Sequence, residues 1–294
     1  VDQLLPRARK VASDAVVALP QPVVDRLPDR ARDRFTEVRR HRAEATFSDS
    51  NVSTLDNLAY NRSVWDWYAE RWNDVDFRQA QLSYEGRGGE DATTVERLGE
   101  EWGRLDDVVD VVERWIKPHV DRSSVAGEIG TGGARVARLV APNVGRFHAF
   151  DISPKMLELA RHELRDVPGA QFHVLDGPSL PGPLASTFDF IYSFDVFMHL
   201  DLHVQWRYVL EFDRVLKPGG KAFIHTSNLT TAAGWERFAA QTHYRVEGFY
   251  FMTPQAMRTL IGHTTLEIID ELSEAPGNFY YERDYFVLLS KPAA

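Results

Sequence analysis

Ser124-Val-Ala-Gly-Glu-Ile-Gly-Thr-Gly-Gly-Ala-Arg-Val-Ala-Arg-Leu-Val140 changes hydrophobic period in its middle. Up to Ile129 it reads as a short buried strand. From Ala134 the apolar residues Val136, Ala137, Leu139 and Val140 fall on one helix face, and Gly130, Gly132 and Gly133 form the joint. Glycine suits that joint because a tight turn uses positive φ, and because a ligand can approach backbone that carries no Cβ. A helix behind such a turn is expected to aim free N–H groups and the positive end of its dipole at a bound anion or carboxylate.

The next stretch outward is Arg146-Phe-His-Ala-Phe-Asp151-Ile152, an apolar strand ending in an acid 21 residues after Gly130. An acid there is placed to accept hydrogen bonds from both ribose hydroxyls, so a nucleoside is implied. A dinucleotide fingerprint fits poorly. Arg135 stands where the third glycine of such a motif is expected.

The pattern Glu128-x-Gly130-x-Gly132-Gly133 resembles the first motif of the class I S-adenosylmethionine (SAM)-dependent methyltransferases, with Ala134 in place of the usual last glycine. The resemblance continues through Asp151-Ile152, Phe172-His-Val-Leu-Asp176-Gly177, Phe188-Asp-Phe-Ile-Tyr-Ser193 and Arg214-Val-Leu-Lys-Pro-Gly-Gly220. It covers about residues 100 to 294. It implies an α/β fold: a Rossmann-like seven-stranded sheet of order 3-2-1-4-5-7-6, strand seven antiparallel, with helices on both faces and a helical N-terminal extension. It further implies that Glu128, Gly130, Thr131, Gly132, Gly133, Met156 and Ser193 contact the cofactor, with the glycine-loop backbone holding its methionine carboxylate and amine. Asp151 would take the ribose, Ile152 the adenine face, and Asp176 with Gly177 the adenine amino group. The expected domains are a helical arm and cap over 1–100 and the methyltransferase domain over 101–294.

Composition agrees with a globular enzyme. The chain has 294 residues, 44% hydrophobic and 26% charged, enough to bury a sizeable core. No run of 18 apolar residues and no secretory signal pattern is visible. Without cysteine there is no disulfide, thiol nucleophile or Cys-ligated metal, which fits a cytoplasmic protein. Arg-rich, Ala- and Val-rich usage points to a bacterial source. The net charge of −9 is uneven: residues 1–42 hold ten Arg or Lys against six acids, leaving the remainder acidic. An acidic catalytic region argues against a nucleic acid substrate, whose affinity rests on phosphate neutralisation.

Residues 1–45 carry prolines at 20, 22 and 28 and an Arg-rich run to Arg42, so short helices are expected. This arm reads either as a solvated tail or as a basic element that docks on anionic membrane or drives self-association, for example as a homodimer. Residues 55–75 read as a helix with Trp65, Tyr68 and Trp72 on one face. Residues 79–103 read as a loop, a lid or a mere connection, and Trp102 to Pro118 as a helix before the glycine strand.

Ligands of open α/β sheets bind outside the carboxyl ends of the strands. Ser193-Phe-Asp195-Val-Phe-Met-His199-Leu-Asp201-Leu-His203 is therefore the stretch for mechanism. Asp201 reads as the N-cap of a helix from Leu202 to Leu216, which leaves Asp195 and His199 in the loop above the sheet. The spacing of Asp195, His199 and His203 is a weak metal signal, and no metal is expected. Methyl transfer from a sulfonium needs chiefly proximity and alignment. An alcohol acceptor also benefits from a base, for which His199 is the first candidate and Asp195 the second. Tyr60, Trp65, Tyr68, His225, Trp235, Tyr244 and Tyr250 are substrate-side candidates, with core packing the competing reading. The aromatic, charged run Asn278 to Asp284 reads as a pocket rim or a subunit contact.

The function expected is SAM-dependent methylation of a small molecule, most readily a hydroxyl of a sugar, glycolipid or secondary metabolite, giving S-adenosylhomocysteine (SAH). The alternatives are N-methylation, a SAM-binding fold without methyl transfer, and an NAD-dependent oxidoreductase.

Overall fold

The computed structural model describes residues 28, 54–84, 89–241 and 249–293. The basic arm therefore lies outside the described residues apart from Pro28, as does Tyr244. The chain divides into two compact units, Val1–Ser53 and Thr54–Ala294, and only the second is described below.

Seven strands form one sheet: β1 (Val125–Ile129), β2 (Arg146–Asp151), β3 (Ala170–Val174), β4 (Phe188–Ser193), β5 (Leu216–Ser227), β6 (Glu267–Leu272) and β7 (Asp284–Ser290). Their order is β3-β2-β1-β4-β5-β7-β6. Strands β3 to β5 pair in parallel, whereas β7 runs antiparallel to both β5 and β6. This is the order and the single reversed strand that the sequence led us to expect.

The inner strands β1, β2, β4 and β7 are buried on both faces, which is why they read as nearly continuous apolar runs, whereas the edge strands β3 and β6 are half exposed. Alternation sends Phe286 and Leu288 of β7 into one core and Tyr285, Val287 and Leu289 into the other. The first core is closed by α3 (Leu105–Trp115), after α1 (Thr54–Arg71) and α2 (Val75–Tyr84) in the chain. Val108, Val111, Val112 and Trp115 recur at helical spacing and are buried, and Trp115 stacks on Phe223 and Phe286 at 5.6 Å.

The helix expected to start at Ala134 instead spans only Ala137–Val140 (α4). Two residues explain this. Ala134 adopts φ +70°, outside the right-handed helical region, and Pro142 ends the segment in a 3-10 turn over Ala141–Asn143. A single helical turn carries little dipole, so loop backbone rather than a helix end faces the ligand space.

The remaining helices start where side chains cap them. Ser153 accepts the Met156 amide ahead of α5 (Pro154–Glu163), and Asp201 accepts the His203 and Val204 amides ahead of α6 (Leu202–Val215). Thr231 caps α7 (Ala232–Ala240) and Thr253 caps α8 (Pro254–Ile261). Asn278 caps α9 (Phe279–Arg283), a short helix where a loop was expected. Helix α1 packs on α5 and α6, above the carboxyl ends of the first strands. Among the described residues no helix is long and apolar enough to cross a membrane.

Candidate active site

The glycine turn is braced from below. Gly130 and Thr131 both donate their amides to the Phe150 carbonyl at the end of β2, at 2.7 and 3.0 Å. Gly130 (φ +73°) and Gly132 (φ +54°) use the left-handed region. A Cβ on Gly130 would stand 2.2 Å from Val196 Cγ2, so β1 can pass that close to the loop after β4 only with glycine. A Cβ on Gly132 would meet nothing within 4 Å: it faces open space. The Gly133 amide has no hydrogen-bond partner among the described residues.

That open space is a cavity of about 800 Å³, the solvent at its mouth included, lined by Gly130 to Gly133, Glu128, Asp151, Ile152, Met156 and His199, among others. Its carboxylates are Glu128, Asp151 and Asp195. Glu128 is 2% exposed and its Oε2 has no hydrogen-bond partner. Burial pushes its carboxyl well above the usual range. Asp151 accepts the Gly132 amide on one oxygen and the Ser153 amide on the other, both at 2.8 Å, and burial raises its pKa to about 6. Each of its oxygens keeps a second lone pair for a ligand.

A second chamber of about 540 Å³ adjoins the first, with Trp65, Trp102, Asp195 and His199 lining both. Its other walls are Tyr68, Phe249 and Tyr280, with Arg237 and Arg283. His199 sits in a 3-10 turn, Phe197–His199, between the rings of Trp65 at 5.2 Å and Phe249 at 5.8 Å. Asn61 of α1 donates to its backbone carbonyl at 3.1 Å, which fixes the turn beneath the helix. Tyr68 donates its hydroxyl to the buried Glu101 at 2.7 Å and accepts from Trp102 Nε1 at 3.1 Å. Glu101 is fully enclosed, and burial raises its pKa to about 7.

Beneath the two chambers runs a chain of buried charges. Arg135 donates to the Gly99 carbonyl at 3.0 Å, to the Tyr280 hydroxyl at 2.8 Å and to the Asp195 carboxylate. Asp195 takes φ +58°, and its amide donates to His225 Nδ1 at 3.1 Å. That puts the ring proton on Nε2, 3.1 Å from Asp284. Asp284 is held in turn by Arg283. The Asp195 and Asp284 carboxyls stay below the usual range despite burial, because Arg135 and Arg283 respectively favour their charged forms. An ion-paired carboxylate of depressed pKa is a poor proton acceptor, which counts against Asp195 as a base.

Several expected site residues lie elsewhere. Asp176 projects from the surface with 96% of its side chain exposed and pairs with Arg62 at 3.4 Å, outside the cavity. Leu175 lines the cavity in its place, whereas Gly177 does not. Ser193 is enclosed and donates to the Ile129 carbonyl at 3.0 Å, tying β4 to β1. His225 has no exposed surface and stacks on Phe194 at 4.4 Å. Trp235 is 56% exposed on α7, and neither it, Tyr60 nor Tyr250 lines either chamber. Tyr250 instead accepts from Asn57 at 3.4 Å and donates its amide to the Met198 carbonyl at 2.7 Å. His203 is exposed at the start of α6. Arg135, Trp102, Phe249 and Arg237 are among the lining residues that motif reading did not select. Only Arg135, an arginine inside a glycine motif, carried a visible signal.

Comparison with known proteins agrees with this geometry. Residues 127–224 match a family model described as a methyltransferase domain. No curated protein matches the chain by sequence. Among solved structures it is similar to magnesium protoporphyrin IX methyltransferase from Synechocystis PCC 6803 with bound SAH, at 13% identity and a TM-score of 0.54 over 79% of this chain and 99% of that one. It is also similar to the N-methyltransferase NodS from Bradyrhizobium japonicum in complex with SAH, at 15% identity and a TM-score of 0.51 over 73% and 98%. A third likeness is the [4+2]-cyclase SpnF, at 16% identity and a TM-score of 0.50 over 65% and 81%. At these identities the likenesses establish the fold.

Proposed function

We propose that this class I SAM-dependent methyltransferase methylates a hydroxyl of a small molecule, such as a sugar, glycolipid or secondary metabolite, with His199 as the base. The observation that carries the proposal is the pair of adjoining chambers with His199 at their boundary. SAM supplies a methyl group on a sulfonium, and its transfer to an acceptor hydroxyl leaves a thioether and releases one proton.

The first chamber suits that cofactor. The unpartnered Glu128 oxygen and the free Gly133 amide match an amino group and a carboxylate, Asp151 matches ribose hydroxyls, and Ile152 with Leu175 offers apolar walls for adenine. In the second chamber the aromatic walls exclude water and hold the acceptor, and His199 receives the hydroxyl proton as the nucleophile forms. Room for an acceptor counts against a SAM-binding fold that transfers nothing. Arg135, built into the charge network, counts against the NAD reading.

Affinity for SAM should depend on pH through Asp151. Its free carboxyl has a pKa of about 6 because it is buried, and ribose hydroxyls donate to the ionised form. Affinity is therefore full above pH 6 and lost as pH falls. Linkage gives about tenfold weaker binding at pH 5 than at pH 7. Calorimetric titration across that range checks this, and Asp151→Asn should flatten the profile.

The acceptor chemistry is tested by measuring SAH release with matched pairs of small molecules that differ only in a hydroxyl or an amine. Turnover of hydroxyl acceptors is expected. Turnover confined to the amines would replace this reading with N-methylation.

A further inference from the structure

The second chamber has a cationic end. Arg283 is 7% exposed, yet it lines the chamber. Its Nε and Nη2 are committed to Asp284, at 2.9 and 2.6 Å. Its Nη1 has no hydrogen-bond partner among the described residues. The guanidinium is also pinned by rings, lying 4.4 Å from Phe279, 5.0 Å from Phe249 and 5.8 Å from Tyr280. A guanidinium held on one edge by an ion pair and on its faces by aromatic rings presents its remaining edge without further loss of side-chain freedom.

The surroundings reinforce this. Arg237 lies 4.1 Å from the same Phe249 ring, so two guanidinium groups share one aromatic wall. Among the described residues that line the chamber the one carboxylate is Asp195, and Arg135 already claims it. Phe249 also touches His199 at 5.8 Å. An acceptor in the chamber therefore meets both His199 and Arg283, each of which packs against that ring.

Resting on the proposed methyl transfer, we propose that the acceptor is a flat, aromatic-bodied molecule bearing a carboxylate or phosphate, and that Arg283 Nη1 binds that anion while the hydroxyl at the other end faces His199. This makes Arg283 the residue that selects among acceptors. It also fixes which end of the acceptor reaches His199.

The test uses 4-hydroxybenzoate, its neutral counterpart 4-hydroxybenzamide, and 4-hydroxyphenyl phosphate, each titrated into the protein with and without saturating SAH. The wild type should bind at least one of the two anions about tenfold or more tighter than the amide, in keeping with a hydrogen bond to a charged group. The benzoate and phosphate arms decide which head group fits. In Arg283→Gln the preference should vanish, with SAH affinity unchanged as the sign of an intact fold. Should Gln leave Asp284 unpaired and the chain unfolded, Arg283→Lys retains the charge beside Asp284 and should still lose most of the preference, because an ammonium lacks the second edge. Equal binding of anion and amide by the wild type, or a preference that survives in the variant, would overturn the proposal. Failure of SAH to bind would instead overturn the cofactor chamber, and the titrations without SAH would still judge the anion site.

Discussion

Arg135→Met should lower stability by about 3–5 kcal/mol, the cost of stranding a buried charge by removing its partner. For a domain of this size that corresponds to a fall in Tm of roughly 10 °C. Arg135 is 6% exposed and serves three acceptors, the Gly99 carbonyl, the Tyr280 hydroxyl and Asp195. Methionine fills most of the volume and serves none of them. Asp195, in left-handed backbone, would then keep His225 and the more distant Arg283 as its neighbours. Arg135→Lys should recover part of the loss, since one ammonium supplies the charge but not the fork that reaches three groups. Thermal unfolding of the three proteins checks this. A shift of only one or two degrees for the methionine variant would mean that the charge network contributes little.

His199→Ala should reduce the methyl transfer rate by about a hundredfold to ten-thousandfold, the usual worth of a positioned base. SAH affinity should change little, because the first chamber keeps Glu128, the glycine turn and Asp151. The loss should be greatest for alcohols and smaller for the more acidic phenols, whose proton is easier to remove. A uniform loss across acceptors would mean that His199 shapes the chamber between Trp65 and Phe249 rather than taking a proton.

The sheet was legible because its signals are local. A period change at Gly130, an acid at the tip of β2 and the N-cap at Asp201 each depend on a few adjacent residues. Failures came where a distant residue decides. Asp176 is one position past Leu175, but Arg62 of α1 draws its carboxylate to the surface. His225 lies near the end of β5 as expected, yet Asp195 and Asp284 claim both ring nitrogens. The second chamber takes Trp65 and Tyr68 from α1, Trp102 from the segment before α3, Arg237 from α7 and Arg283 from α9. No single window of sequence contains it. The run Asn278 to Asp284, read as a pocket rim or a subunit contact, contains Tyr280 and Arg283 of the second chamber, but nothing in it signalled the guanidinium edge that the ion pair leaves over.

The central claim is that SAM is held over the glycine turn with its ribose on Asp151, and calorimetric titration of SAM and SAH into wild type and Asp151→Ala tests it most directly. The expected result is micromolar binding of both, weakened at least tenfold by the substitution, with unfolding still cooperative although Tm before ligand falls by several degrees, because the Gly132 and Ser153 amides lose their acceptor. Equal affinity of wild type and variant would contradict it, as would no binding of either molecule.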